Sequence, residues 1–156
     1  MKTVFGAFVF LVAFAGGVLA DCAVPRDAGA QAAQVLALVN AERRQRGLNA
    51  LAQDDALAGA ADDHSCFMAE SGRMSHVGKG GRKLAARLRG VGYGYRAAAE
   101  NVAYGYRDAG RVVQGWMQSD GHRRNILMPG VTEAGAGLRI GRDGRPYWTL
   151  ILGRPR

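Results

Sequence analysis

The sequence predicts an α+β domain, with helices through the first two thirds of the mature chain and antiparallel strands at its end. Three observations predict it. Apolar residues recur at helical spacing from residue 31 onward, helix-stopping glycines follow those runs, and beyond residue 132 the pattern shifts to strand-like runs joined by a Gly-Arg-Asp-Gly turn. The chain has 156 residues, of which 48% are hydrophobic and 22% charged. That is the balance of one ordinary globular domain, long enough to bury a core without many crosslinks.

The elements follow in order. Val35, Leu38 and Val39 recur at helical spacing between Gln31 and Arg46, and Gly47 stops the run. Asp54 or Asp55 caps a second helix over Ala56 to Glu70, closed near Gly72. Leu57, Ala60, Ala61, His64 and Met68 share one face of it. A short third helix is expected over Arg82 to Arg89, ending at Gly90. Asp108 caps a fourth, with Val112, Val113 and Trp116 on its buried side. Glu133–Ile140 and Arg145–Leu152 are the predicted strands, joined by the turn Gly141-Arg142-Asp143-Gly144.

Residues 1–20 stand apart. Lys2, an apolar run from Val4 to Val18 and the small residues of Val18-Leu19-Ala20 make a secretory signal cleaved after Ala20. An uncleaved anchor would need a longer run without Gly16-Gly17. A lipidated Cys22 would need a small neutral residue where Asp21 stands. The expected organisation is a signal at 1–20, a lead-in at 21–30 and the folded domain at 31–156, exported to the extracellular space or periplasm as a monomer without a transmembrane anchor. Both cysteines, Cys22 and Cys66, fall in the mature chain. In an oxidising compartment a Cys22–Cys66 disulfide is the simplest pairing. The formal charge is +8, mostly from arginine. Lys79, Arg82, Lys83, Arg87 and Arg89 cluster as a candidate patch for anionic surfaces, or as a solvated, solubilising face. Nothing in the pattern reads as a nucleic-acid motif.

Chemistry can come from few places. The histidines are His64, His76 and His122. His76 and His122 sit among turn-forming residues, in Ser75-His76-Val77-Gly78 and Ser119-Asp120-Gly121-His122. Two imidazoles can hold a divalent ion, with nearby carboxylates orienting them. His64 falls on the apolar helix face and reads as structural. Glu100, in Ala99-Glu100-Asn101-Val102, and Glu133, in Val131-Thr132-Glu133-Ala134, lie among small or apolar residues, where an unpaired charge is costly. Trp116 and Trp148 read as core aromatics. No serine or cysteine sits in a nucleophile motif.

Taken in order, these pieces resemble the CAP superfamily of cysteine-rich secretory, antigen 5 and pathogenesis-related proteins, in its compact bacterial form. The resemblance rests on Asn40-Ala41-Glu42-Arg43 with Gly47-Leu48; on Leu51, Asp54 and His64-Ser65; on Ser75-His76; on Glu100-Asn101-Val102-Ala103; and on Thr132-Glu133-Ala134-Gly135 with Tyr147-Trp148-Thr149-Leu150. Its most specific stretch is Gly115-Trp116-Met117-Gln118-Ser119 running into Gly121-His122-Arg123-Arg124-Asn125-Ile126-Leu127. The resemblance implies a three-layer α-β-α sandwich with a mainly antiparallel sheet. It also implies a cleft tetrad of His76, Glu100, His122 and Glu133, in which the two histidines can bind zinc or another divalent ion weakly. Met74 stands where an aromatic residue is common, and the loop from Gly78 to Lys83 is basic where relatives often carry an acid. The implied function is a binding module for a lipid, an envelope polymer or a protein partner. A metal-assisted hydrolase with Glu100 or Glu133 as general base is the alternative.

Overall fold

A computed structural model describes residues 22–156. The expected signal segment lies outside these residues. The elements are β1 (Cys22–Ala23), α1 (Ala28–Arg44), β2 (Ala52–Gln53), α2 (Asp55–Ser71), a 3₁₀ turn (Lys79–Gly81), α3 (Leu84–Gly90), β3 (Tyr95–Tyr104), α4 (Ala109–Gln118), α5 (Asp120–Ile126), β4 (Glu133–Gly141) and β5 (Pro146–Pro155). The sheet runs β1-β4-β5-β3, antiparallel throughout, and short β2 joins β4 in parallel. The class is α+β, as the periodicity predicts.

The predicted caps form. Asp54 accepts the Leu57 N–H at 2.8 Å, Asp108 accepts the Arg111 N–H at 2.8 Å, and Gly72 closes α2 at φ 63°. Three expectations change. The lead-in at 21–30 holds edge strand β1 and the first turn of α1. His122 sits within helix α5 rather than in a turn. The long strand β3, which carries Glu100, had no counterpart among the predicted elements. Its run Ala97-Ala98-Ala99 has neither β-branching nor alternation, the signals on which a strand is read.

Strand register sorts the side chains into two layers. Ala134, Leu138, Trp148, Leu150, Leu152, Ala99 and Ala103 face α1, α4 and α5, where Val35, Val39, Val112, Trp116 and Ile126 complete the main core. Glu100, Val102, Ile151 and the glycines of β4 face α2 and α3, with Leu57, Ala60, Ala61 and Leu88. This is the α-β-α sandwich. Trp116 and Trp148 are both buried, as expected of core aromatics.

Two contacts set the spacing of the layers. A Cβ on Gly135 would collide with the backbone of Leu57 and Ala58, and one on Gly137 would lie 2.5 Å from Asp62 N. Helix α2 therefore rests directly on β4, and Ser65 Oγ bonds Gly137 O and Thr149 Oγ1 beneath it. On the other side, fully buried Arg43 of α1 donates to the carbonyls of Asn49, Ile126, Met128 and Val131. One guanidinium thereby ties α1 to the end of α5 and the approach to β4. The Cys22–Cys66 disulfide joins β1 to α2 across a separation of 44 residues.

Two predictions follow from this packing. Gly135→Ala and Gly137→Ala should each destabilise the fold by about 1–3 kcal/mol or more through overpacking. Gly29→Ala, where nothing lies within 4 Å of the added methyl, should be neutral or stabilising, as read by urea denaturation. Replacing Cys22 and Cys66 together by Ser should lower stability by up to about 4 kcal/mol, from the loop-closure entropy restored to the unfolded chain. The same denaturation curves check this.

Candidate functional site

Strand β3 is the sheet's edge opposite β1, so one side of it has no strand neighbour. Side chains fill part of that vacancy. Asn125 Nδ2 of α5 donates to Glu100 O at 3.1 Å, and Trp116 Nε1 donates to Val102 O at 3.3 Å. Asn125 also bonds Asn101 Oδ1, and Asn101 Nδ2 reaches His122 O at 3.1 Å. Two neighbouring residues of β3 thus divide the labour. Glu100 points toward α2 and α3, while Asn101 points to the opposite face and locks the first turn of α5 in place. Asn125 helps fix the His122 segment through Asn101.

Glu100 is the centre of the site. Its side chain is only 4% exposed. Oε1 accepts His76 Nδ1–H at 2.9 Å, and Oε2 accepts Arg87 Nη2–H at 2.6 Å. His64 Nε2 stands 3.9 Å from Oε1 and donates to Ser75 O at 2.7 Å. Burial pushes the Glu100 carboxyl up, but the His76 hydrogen bond and the Arg87 and His64 charges outweigh it and hold the group below its ordinary value. The hydrogen bond to Glu100 raises His76 above 6.5 despite partial burial. Burial lowers His64, and burial together with the nearby His76 lowers His122.

The members of the sequence-derived tetrad have different hydrogen-bond partners. His76 and Glu100 are bonded, and His122 lies close enough to His76 for their charges to interact. Glu133 bonds a different partner. The register puts Glu133, Gly153 and Ala98 in one cross-strand row and Gly135, Ile151 and Glu100 in the next but one, on the same face. The Cα atoms of the two glutamates are thus two strand spacings apart, roughly 9–10 Å before the offset along the strand is added. Tyr93 occupies the ground over Gly153 and donates its hydroxyl to Glu133 Oε2 at 2.7 Å. Burial, followed by the Glu133 contact, raises the Tyr93 phenol well above its ordinary value.

Arg87 also departs from the sequence reading. Its side chain is 10% exposed and spends its charge on Glu100, so it is not part of an outward-facing basic patch. Lys79, Arg82, Lys83 and Arg89 are exposed. The residues that sequence reasoning missed are Arg87 and Tyr93. The only signal was indirect: a glutamate set among apolar residues requires buried partners. His64 is buried on the inner face of α2, as expected.

A groove of about 420 Å³ runs along the free side of β3, lined by His76, Lys83, Leu84, Ala98, Asn125 and Met128 among others. Its walls mix apolar side chains with few polar groups, the usual make-up of a ligand cleft.

Removing Glu100 should be costly, because Arg87 would remain buried without its counter-charge. Glu100→Ala should lose about 3–5 kcal/mol. The pH dependence follows from the shifts. Glu100, held below 4.5, contributes fully above that value and loses its contribution as pH falls through its folded pKa. His76, held above 6.5, contributes fully below that value and loses its contribution as pH rises through its folded pKa. The stability difference between wild type and Glu100→Gln should therefore be largest between pH 4.5 and 6.5 and smaller, though not zero, above it, where the Arg87 pair persists. Denaturation curves across pH 3–9 check this (range roughly spanning both groups' ordinary values).

Comparison with known proteins agrees with this architecture. The family model of the CAP, cysteine-rich secretory protein, family matches residues 36–152. The chain is 34% identical over 113 residues to the Bacillus subtilis (strain 168) "Uncharacterized protein YkwD", covering 72% of this chain and 44% of that one. It is 37% identical over 116 residues to the "Uncharacterized membrane protein YlbC" of the same strain, covering 74% of this chain and 32% of that one. The chain thus spans less than half the length of either relative. The crystal structure of an extracellular protein containing an SCP domain, from Bacillus anthracis str. Ames, superposes with a TM-score of 0.75 at 29% identity, over 84% of this chain and 44% of that one. The chain belongs to the cysteine-rich secretory protein (CAP) family.

Proposed function

We propose that the chain is an exported binding module whose working surface is the groove along the free edge of β3. It would hold an extended part of an envelope lipid, an envelope polymer or a protein partner. The observation that carries this reading is the state of the two carboxylates. Glu100 is committed to His76 and Arg87, and Glu133 to Tyr93. The Glu100 carboxylate, held ionised by its His76 and Arg87 partners, is a weak proton acceptor, since general-base efficiency falls as pKa falls below the working pH. Groups arranged in this way orient a ligand and shape a wall. The extracellular relative and the apolar run of the sequence before Ala20 support export. Among the described residues no helix is long and apolar enough to cross a membrane.

The donor set fits at most a weak metal site. Among the described residues no three His, Cys, Asp or Glu side chains gather as ligands. Zinc held tightly has three or four protein ligands. His76 keeps Nε2 available while Glu100 fixes its Nδ1 proton, the arrangement that orients a ligating imidazole. His76 and His122 would be the two ligands of an exchangeable divalent ion, which would supply positive charge at the mouth of the groove.

Two measurements test this reading. Zinc titration by calorimetry should show weak binding that is lost in a His76→Ala/His122→Ala double variant with little loss of stability. Affinity should begin to fall above pH 6.5 as pH is lowered, because His76 takes its proton early. In pull-downs with isolated cell envelopes, Val77→Asp, at an exposed position on the groove wall, should reduce retention without lowering the melting temperature. Hydrolysis of ester or peptide substrates that disappears in both Glu100→Gln and Glu133→Gln would overturn the binding-module reading in favour of catalysis.

A further inference from the structure

The open side of β3 presents main-chain groups as well as side chains. Gly105 N–H bonds Pro146 O at 2.8 Å, extending the register in which Asn101 faces Leu150 and Ala99 faces Leu152. In an antiparallel ladder the main-chain groups of alternate residues point to the same side. Ala99, Asn101 and Ala103 therefore turn their N–H and C=O toward β5, and Ala98, Glu100 and Val102 turn theirs to the free side. Glu100 O and Val102 O are already taken, by Asn125 and Trp116. Among the described residues no hydrogen bond engages Ala98 N–H, Ala98 O or Glu100 N–H. Ala98 is only partly buried, and both residues line the groove of about 420 Å³. Proteins usually blunt an open edge with charge or proline. Here Ala97, Ala98 and Ala99 place nothing larger than a methyl along it.

These groups specify their partner. A hydrocarbon chain laid here would bury them unpaired. The two outward N–H groups stand one strand repeat apart, roughly 6.6–6.8 Å, which is also the repeat of another extended polypeptide. A residue of an added antiparallel strand opposite Ala98 would exchange both bonds with it, and the residue two earlier would offer its C=O to Glu100 N–H. Asn125 ends the open stretch. Charge decides which polypeptide fits. The charged side chains lining the groove are His76, Lys83 and Glu100, and Glu100 is already paired with His76 and Arg87. Exposed Arg96 stands on β3 itself, just before the alanines. The lining favours an acidic partner. It opposes a second copy of this chain, which would bring Lys83 and Arg96 against their own equivalents at a formal charge of +8 per chain. Ala98 faces the side of α3, with Leu84 and Lys83, whereas Ala99 faces the side of Met128. We infer that the groove takes an extended acidic peptide as an added strand on residues 98–100, with acidic side chains beside Lys83 and apolar ones beside Met128.

The inference rests on the groove being the working surface and names its occupant as a protein segment. The test is fluorescence anisotropy on the folded chain with the acetylated peptide Val-Glu-Val-Glu-Val and its lysine counterpart Val-Lys-Val-Lys-Val. Two further forms of the acidic peptide are N-methylated at the glutamates or at the valines. The acidic peptide should bind and the lysine peptide should not. Methylating the glutamate nitrogens, which face β3, should weaken binding roughly tenfold or more, the worth of one or two main-chain bonds. Methylating the valine nitrogens should change it little. Ala98→Pro removes an N–H that β5 does not use, so the fold should persist and binding should be lost. Lys83→Glu, at an exposed position, should reverse the preference between the two peptides however Ala98→Pro folds. In NMR the Ala98 and Glu100 amide signals should shift on titration. Equal binding by the glutamate-methylated peptide, or undiminished binding by a folded Ala98→Pro, would overturn the added strand. So would dimerisation of the free chain that Ala98→Pro removes, which would give the edge to a second copy. Absence of peptide binding while envelope retention still depends on Val77 would overturn the peptide and leave the groove to a lipid or polymer. Absence of both would overturn the two readings together.

Discussion

A carboxylate placed almost out of reach of water has to be neutralised where it stands, and in this chain the surroundings of Glu100 are arranged to do that. Arg87 reaches it from α3, His76 from the loop after α2, and His64 from α2 itself. Three segments that share no continuous secondary structure are thereby drawn to one strand. The pair by itself is weak evidence of stability, because desolvating two charges offsets most of their attraction. Its stronger effect is on specificity of arrangement. With Glu100 fixed, α3 has one seat against the sheet, and the loop carrying His76 has one course along its edge. Leu88 and Tyr93, buried nearby, then pack where the ion pair has already set the spacing.

The other face of β3 shows the same logic in neutral form. Asn101 and Asn125 bond one another and together secure backbone carbonyls of α5 and β3. Arg43 continues the chain of contacts from the far end of α5 to α1. Polar groups inside this protein are spent mainly on carbonyls that regular structure leaves unpaired, which is the usual use of buried donors.

Much of this was legible in the residues. The α2 cap, its inner face and the terminal hairpin could be read because local rules decide them: Asp54 accepts from the first turn, and Gly144 supplies the positive φ of 71° at the β4–β5 turn. That Glu100 needs buried partners could be read from its apolar neighbours. What stayed hidden depends on distance in sequence. β3 is a strand because β5 pairs with it along its length, and three consecutive alanines reveal nothing of that partnership. Arg87 looked like one more surface cation because charge counts do not show which basic residue faces inward. The Tyr93 partner of Glu133 was invisible for a similar reason: it is set by β5 lying between β3 and β4, and by Tyr93 standing over Gly153.

The strand order has a consequence for how the protein meets its surroundings. Cys22 lies on one margin of the sheet and the groove on the other, three strand spacings, or about 14 Å, apart. The disulfide to α2 clamps that first margin, so the chain enters the fold at a fixed point facing away from the groove. Anything attached ahead of Cys22 would act as a handle on the blind side of the molecule. The free edge of β3 lies on the opposite margin of the sheet from such an attachment.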